Sequence, residues 1–409
     1  MLQVMNILYG GSIRNRKIQL FSGDGAETAS SEDPCRRTFV IHGVTLEPTP
    51  GLRNRFSLDK SGPPPNFMID IIILPEKGIF KSILYLEGKI MKILVSGGAG
   101  FIGSNVVDGY IREGHAVVVV DNLYTGKKAN INPKAKFYPL DIRSKEIEGV
   151  MEKERPTVLN HHAAQISVPV SVADPVLDAE INLTGLLNLL EKGIKYGVKK
   201  VVFISSGGAI YGEASQYPTS EAYAPIPLSP YAVSKFSSEH YLKYYHHQYG
   251  LDYTILRYAN IYGPRQIPHG EAGVVSIFMD NLLKGKPSTL NHFKEDPEGM
   301  IRDYCYVGDV VKANIKALTH GNGEIFNIGT GSGTKTSALY QTVYEVFKEA
   351  GSTLPDGLST LDRQPARPGD IRRSCLVVDK AREKLGWIPE TDLKEGIRLT
   401  LKWRIAATS

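Results

Sequence analysis

Cysteine is scarce: Cys35, Cys305 and Cys375 are the only three, and no CxxC spacing occurs. That excludes a disulfide framework and a thiolate zinc site, and no metal is expected. Long apolar runs are missing too. None approaches the roughly 18 residues of a membrane span, because Lys77, Lys81, Glu87 and Lys89 interrupt the segment after Ile71. Residues 1–20 lack the order of a signal peptide, since Arg14, Arg16 and Lys17 follow the weakly apolar start instead of preceding a hydrophobic region. The formal charge of +5 is spread along the chain, without a lysine-arginine block or a basic-aromatic stripe. Neither nucleic acid nor membrane is therefore expected as a partner. With 42% hydrophobic and 22% charged residues, usage is that of an ordinary globular protein, and a reduced cytoplasmic location is the simplest expectation.

From Met1 to Ile90 no period of 2 or 3.6 is sustained, and GDGAETASSEDP and EPTPGLRNRFSLDKSGPPP are rich in turn formers and poor in core residues. Such a stretch buries too little apolar surface to offset the entropy of ordering. At Met91 the character changes to MKILVSGGAGFIG, a strand running into a glycine turn. The preceding Leu86-Glu87-Gly88-Lys89-Ile90 is compatible with translation of a purine-rich ribosome-binding sequence ahead of a start codon at Met91. Residues 1–90 are expected to be a non-native or disordered extension, a genuine extension being the other reading.

After Met91 strands and helices alternate. Ile93 to Ser96, Ala116 to Asp121, Val158 to His161, Val201 to Ser205 and Tyr253 to Arg257 are short apolar or β-branched runs, while Ser104 to Glu113, Asn182 to Tyr196 and Pro230 to Tyr249 read as helices. This alternation predicts an α/β fold, a Rossmann-type doubly wound parallel sheet covered by helices on both faces. From Pro264 onward strands are sparser, which predicts a smaller C-terminal substrate-binding lobe over residues 264–409, with part of the sheet open to completion from this region.

Gly97, Gly100 and Gly103 lie directly after a strand, and Phe101 and Ile102 open the helix that follows. Glycine permits the tight turn and a close backbone approach to a pyrophosphate, whose charge meets the amide end of the helix. Asp121 ends the next apolar run, Val117 to Val120, followed by Asn122. A carboxylate there accepts the ribose hydroxyls and repels a 2′-phosphate, so NAD is expected over NADP, bound to residues 91–263. Asp141-Ile142 ends another short strand and is a candidate flank for the adenine, or a surface turn.

Ser229-Pro230-Tyr231 has the form of a helix start, with Ser229 as cap and Pro230 at the first helical position. Tyr231 and Lys235 are four apart and share a helix face. Bringing a tyrosine from its ordinary pKa near 10 to about 7 requires about 4 kcal/mol, roughly what one nearby positive charge supplies at an effective dielectric near 20. Lys235 and a cationic nicotinamide are the candidate sources.

In MKILVSGGAGFIGSNVV, DNLYTG, NHHAAQISVPVSV, NLTGLLNLLE, FISSGGAIYGE, SPYAVSKFSSEHY, LRYANIYGPRQ, RDYCYVGDV, FNIGTG and ARPGDIRRS, residues 91–409 resemble the extended short-chain dehydrogenase/reductases, and most of all the UDP-glucose 4-epimerase branch. The resemblance implies Tyr231 as general base, with Lys235 holding the nicotinamide ribose and lowering the tyrosine pKa. It implies a cofactor site lined by Ala163, Ala164, Gln165, Asn182, Ser205 and Tyr258, and a UDP-sugar site formed by Asn260, Arg302, Arg367 and Asp370, where guanidinium forks suit a diphosphate. It further implies a homodimer built through the helices after Asn182 and Pro230. One position departs from the pattern. Four residues before Tyr211, where the family places a serine or threonine, stands Gly207. Ser206, one residue earlier, is the candidate substitute, a water the alternative.

Among reactions of the family, dehydratases resemble this chain but carry an Asp-Glu pair where Gly208-Ala209 stand, and decarboxylating relatives carry a glutamate at Ala209. C4 epimerisation of a UDP-hexose through a 4-keto intermediate is expected, with UDP-glucuronate epimerisation and a non-catalytic NAD-binding regulator as the other readings. Ser374 is small where enzymes confined to plain hexoses often carry tyrosine, so N-acetylated UDP-hexoses are expected substrates too. His161-His162 and His246-His247 lack metal-site geometry.

Overall fold

The computed structural model describes residues 90–268, 273–351, 354–367 and 370–408, together with the backbone of short stretches before residue 90. The chain divides into two compact units, Met1–Ile90 and Met91–Ser409. In the first, Phe67–Glu76 and Ile79–Gly88 pair antiparallel from Phe67↔Gly88 to Glu76↔Ile79, and Gln3–Val4 adds to one edge. Phe39–Ile41, Val44–Glu47 and Arg55–Leu58 form a second antiparallel sheet. The sequence reading placed no elements here. The missed signal is FMIDIIILPE and IFKSILYLEG, β-branched segments two residues apart, the spacing of a tight hairpin. The other residues of this unit lie outside the described residues.

The second unit is built on a seven-stranded parallel sheet. Its strands are β1 (Lys92–Ser96), β2 (Ala116–Val120), β3 (Lys136–Tyr138), β4 (Val158–His161), β5 (Lys200–Ser206) and β6 (Asp252–Tyr258), with a seventh, Glu324–Ile328, arriving late in the chain. From one edge the order is β3-β2-β1-β4-β5-β6 and then the late strand. Helices α1 (Phe101–Arg112), α2 (Ile147–Glu154), α3 (Val168–Ala173), α4 (Pro175–Ala179), α5 (Gly185–Lys195) and α6 (Pro230–Tyr249) connect them. The inner strands β1, β2, β4, β5 and β6 are buried on both faces, as a parallel sheet covered on both sides requires, while β3 at the edge is partly exposed. One face carries Val106, Val107, Tyr110, Val310 and Ala313, the other Leu186, Leu189, Leu190 and Leu242. This is the doubly wound Rossmann-type fold expected.

The smaller lobe contains β7 (Asn260–Tyr262), α7 (Val274–Leu283), β8 (Ser288–His292) and β9 (Ile301–Tyr306). Next comes α8 (Val307–Ala317), which packs on α1. The lobe resumes with β10 (Gly333–Lys335), α9 (Thr336–Glu349), β11 (Leu361–Pro365), β12 (Arg373–Ser374) and α10 (Leu393–Thr408). It has its own core around Phe278, Met279, Tyr340 and Phe347. It does not begin at a single boundary. Glu324–Ile328 completes the large sheet beside β6, and Val378, Ala381, Leu385 and Trp387 join the core under α1 and α8, so the two lobes interleave along the chain. Among the described residues no helix is long and apolar enough to cross a membrane.

Candidate active site

The carboxyl ends of the strands bring the candidate residues to one edge. Ser96 is in register with Val120 and His161, and Ser206 with Tyr258. Between β1 and β4 the connections diverge to opposite faces, the crevice where open α/β sheets bind ligands. The glycine turn sits at its mouth. Gly97 has φ +73°, and a Cβ there would lie 2.5 Å from the Ala163 nitrogen; a Cβ on Gly103 would fall on the Gly97 carbonyl oxygen. Both positions are closed to any side chain. Gly100 caps α1 without a side-chain hydrogen bond, so Phe101, Ile102 and Gly103 form a first turn whose positive amide end faces the crevice uncapped.

Asp121, nine-tenths buried after β2, accepts from the Ala99 amide (3.0 Å) and the Leu123 amide (2.8 Å). Its carboxylate thereby fixes the glycine turn against the following loop. The residues expected at the adenine are placed differently from one another. Asn122 donates to Asp141 (3.0 Å), and Asp141 accepts from Arg143 Nε (2.9 Å), a guanidinium that holds its carboxyl down at about 2. Ile142 is buried in the core under α5, where a Cβ on Gly185 would touch it at 2.5 Å. Its side chain therefore packs the core, which leaves the backbone of Asp141-Ile142 as the part that can flank an adenine.

Behind the crevice lies a polar cluster the sequence reading saw only in part. Asp178, fully buried, accepts from Gln165 Nε2 (2.9 Å), Asn182 Nδ2 (3.0 Å) and Ser234 Oγ (2.6 Å). Asn182 also exchanges hydrogen bonds with the Gln165 backbone at 2.9 and 3.0 Å. It stands in a π-helical turn, Glu180–Thr184, between α4 and α5, a local widening frequent at functional sites. Asn182 and Gln165 thus lock the segment that carries Ala163 and Ala164. His161 bonds Ser96 Oγ through Nδ1 (2.7 Å) and stacks on Phe203, and burial pushes the His162 imidazole down to about 3.

Tyr231 and Lys235 occupy the first turns of α6, capped by Ser229, whose Oγ accepts from the Ala232 amide at 3.2 Å. Ser206 closes β5 close to the Tyr231 phenol. Burial pushes the phenol up to about 12; Ser206 opposes that rise and Asp178 adds to it. Lys235, 4% exposed, donates to the Ile204 carbonyl at 2.9 Å and lies 5.1 Å from the Phe203 ring centre. Burial pulls its ammonium down to about 8 against the attraction of Asp178 and Glu239. On balance the phenol is raised, with Ser206 opposing, while the Lys235 ammonium is engaged by the Ile204 carbonyl.

Gly207 has a steric explanation. A Cβ there would sit 2.6 Å from Leu376 Cδ1 and 3.2 Å from the Arg257 carbonyl. Leu376 fills the space that a hydroxyl-bearing side chain at 207 would need. Ser205 and Tyr258 depart from expectation. The Ser205 hydroxyl donates to Glu239 (2.6 Å). The Tyr258 side chain is buried in the core and its hydroxyl accepts from Asn314 Nδ2 (2.6 Å). The two side chains leave the sheet on opposite faces, Ser205 toward Glu239 of α6 and Tyr258 toward the core under α1 and α8.

Glu239 belongs to a buried network with no short-range sequence signal beyond its place four residues after Lys235. It holds Arg257 through Nε (2.9 Å) and Nη2 (2.6 Å), with the two side chains 0% and 3% exposed. Arg257 Nη1 donates to the Tyr211 hydroxyl (2.8 Å), which donates to Asn327 Oδ1 (2.8 Å). Asn327 Nδ2 in turn donates to the Thr219 carbonyl (3.0 Å) and the Val377 carbonyl (3.2 Å).

The substrate candidates converge on the smaller lobe's sheet. Arg302 on β9 is in register with Ser374 on β12, and Asn260 heads β7 opposite Tyr304. Asn260 Oδ1 lies 3.7 Å from the place of a Gly208 Cβ, which sets it beside the Ser206 loop. Burial lowers the Arg302 guanidinium, with Tyr304, Asp370 and Glu213 opposing. Arg367 donates its amide to Asp370 (2.8 Å), and its Nε and Nη2 lie 3.0 and 3.1 Å from the carboxamide oxygen of Asn291. Asp303 is no partner of Arg302. It is buried and accepts from Thr330 Oγ1 (2.6 Å) and the Leu376 amide (3.3 Å).

A doubly wound sheet, a glycine turn closed to side chains, a carboxylate after the second strand and a Tyr-x-x-x-Lys helix define an NAD-dependent enzyme. Residues 93–329 match the NAD dependent epimerase/dehydratase family, and the chain belongs to it. It is 46% identical over 311 residues to a putative UDP-glucose 4-epimerase of Methanocaldococcus jannaschii, an alignment covering 76% of this chain and 97% of the relative. A crystal structure of UDP-glucose 4-epimerase with UDP-glucose from Thermotoga maritima matches with a TM-score of 0.73 at 48% identity, covering 78% of this chain and 100% of that one. UDP-glucose 4-epimerase of Thermus thermophilus in complex with NAD matches with a TM-score of 0.71, again at 48% identity and the same coverage.

Proposed function

We propose that residues 91–409 catalyse C4 epimerisation of a UDP-hexose, interconverting UDP-glucose and UDP-galactose and, past the small Ser374, the N-acetylated pair. The observation that carries this reading is the placement of Tyr231 and Lys235 in the first turns of α6, capped by Ser229, with Lys235 donating to the Ile204 carbonyl near the end of β5. Bound NAD would supply the hydride acceptor and donor at the sugar carbon, held by Gly97, Gly100, Gly103 and the first turn of α1, with Asp121 toward the adenosine ribose. Tyr231 takes the proton from the C4 hydroxyl and later returns it. Ser206 stabilises the phenolate and holds the reacting oxygen, while Asn182 and Gln165 keep the Ala163–Ala164 wall in place. Arg302, Arg367, Asp370 and Asn260 grip the nucleotide end and leave the hexose few charged contacts, so that it can turn over between the two hydride transfers.

The oligomer in this reading is a homodimer. Val168, Val170, Val172 and Val176 on α3 and α4 are exposed, as are Val233, Tyr241 and Tyr244 on α6, and the three helices pack side by side. An apolar face of this kind suits a second copy of the chain. The exposed apolar residues of this face lie on α3, α4 and α6, while α5 buries Leu186, Leu189 and Leu190 in the core and turns Glu191 and Lys195 outward.

The test is incubation of the purified protein with UDP-glucose, UDP-N-acetylglucosamine and UDP-glucuronate, with products separated and the bound cofactor identified. Conversion of the first two is expected. Turnover of UDP-glucuronate alone would overturn the substrate assignment, and no turnover with NAD bound would overturn the enzymatic one.

A further inference from the structure

A cavity of about 110 Å³ beside the first turn of α1 is lined by Phe101, Thr125, Lys127, Ile166, Arg265 and Gln266, among others. Arg265 is unusual in two respects. Its backbone has φ +72°, the left-handed region that side-chain-bearing residues rarely enter and that costs energy to hold. Its Nη2 donates to Asp108 Oδ2 at 2.6 Å, whereas Nη1 is buried with no hydrogen-bond partner. Gln266, 9% exposed, likewise leaves its Oε1 without a partner while Nε2 donates to the Ile261 carbonyl at 3.0 Å.

A buried donor without an acceptor is rare in native proteins, and loss of its hydration is uncompensated. The loop is not slack enough to explain it. Asn105 of α1 donates to the Pro264 carbonyl (3.1 Å), and Arg404 Nη1 of α10 donates to the Gln266 carbonyl (3.0 Å). The strained backbone thus sets Arg265 on the same cavity as Phe101 at the amide end of α1, two sources of positive potential, with the guanidinium anchored at Asp108 about two turns along that helix. Lys127 adds a third, while the carboxylate nearest Arg265 is Asp108, already in its ion pair. Asp121, across the glycine turn, is engaged by the Ala99 and Leu123 amides. The group missing from this arrangement is an anion.

We propose that Arg265 is a further ligand of the cofactor's diphosphate, supplied by the Pro264–Gln266 loop while α1 supplies its amide end. The proposal rests on the placement of that diphosphate at the glycine turn. A guanidinium fork held by Asp108 through one nitrogen and open at the other is preorganised for a phosphate oxygen, and slow release of NAD follows.

The full-length holoenzyme is diluted into NAD-free buffer to follow loss of bound NAD, and the emptied protein is titrated with ADP and with adenosine. Arg265→Met is expected to weaken ADP by about ten- to a hundredfold, the range of a charge-assisted hydrogen bond, to speed NAD release, and to leave adenosine within about twofold. Arg265→Lys, which keeps the charge and loses the fork, falls between. Asp108→Asn breaks the same ion pair but retains the guanidinium, and ADP binding holds or tightens. Unchanged ADP binding in both Arg265 variants overturns the proposal, as does an Asp108→Asn loss equal to that of Arg265→Met, which would make Arg265 a structural partner only. Gly103→Ala separates the underlying placement: if it leaves ADP binding intact, the diphosphate is not at this turn, and if it abolishes binding while Arg265→Met does not, Arg265 alone is excluded.

Discussion

Replacing Ser206 by alanine removes a group that opposes the rise of the Tyr231 phenol, which burial carries to about 12 even with Ser206 in place. A hydrogen bond to an ionised acceptor is worth about 1.5–3 kcal/mol, or about 1–2 pKa units. The bond favours the phenolate, so its loss raises the pKa further and leaves less base at any pH below it. At neutral pH kcat should fall by about ten- to a hundredfold. The pH profile distinguishes this from a general loss of structure. The ascending limb of kcat against pH moves to higher pH by the same 1–2 units, so the deficit narrows above the parent's break point. Ser206→Thr, which retains the hydroxyl, restores most of the rate. A Ser206→Ala protein whose limb does not move and whose kcat stays within about twofold refutes the assignment.

Gly207→Ser, which restores the family's hydroxyl, should lower the melting temperature instead of raising activity, because its Cβ meets Leu376 at 2.6 Å; overpacking of this kind costs about 1–3 kcal/mol. Adding Leu376→Ala should recover part of that loss, and calorimetry of the single and double variants checks the coupling. Ser374→Tyr should abolish turnover of UDP-N-acetylglucosamine while keeping UDP-glucose, read from the ratio of kcat/KM values. The Asp141 carboxyl is held at about 2 by Arg143. Its contribution to stability is therefore present above the unfolded value near pH 4 and is lost as pH falls toward 2. Solvent screening limits it to about 1 kcal/mol. Asp141→Asn should flatten acid denaturation between pH 4 and 2 by that amount.

The parts of the fold carried by local pattern were readable in the sequence. Val117 to Val120 can be little other than a buried parallel strand, and the spacing of Gly97, Gly100 and Gly103 fixes turn and helix together. What escaped has partners far apart along the chain. That the later region could complete the sheet was legible, but which segment does so was not, until Glu324–Ile328 is seen to pair with β6. Asp178 has nothing local to mark it, since its donors come from Gln165, Asn182 and Ser234. Ser205 and Tyr258 were placed at the cofactor because their neighbours belong there; their side chains leave the sheet on opposite faces and are engaged by Glu239 and Asn314, both distant in sequence. Ser206 was legible only as a candidate, because the reason that Gly207 cannot carry the hydroxyl lies in Leu376, remote in sequence.

The buried Arg257 network bears on recombining this chain with its relatives. Tyr211, Thr219 and Arg257 precede the Pro264–Arg265 turn in the chain, Asn327 and Val377 follow it, and the Tyr211–Asn327 and Asn327–Thr219 hydrogen bonds span it. A chimera spliced there would inherit half of a polar circuit from each parent, and a mismatch at any node would strand a guanidinium or a carboxylate in the interior. Splice points that keep Tyr211, Glu239, Arg257 and Asn327 from one parent follow the physical unit of exchange, which is the network and not the lobe.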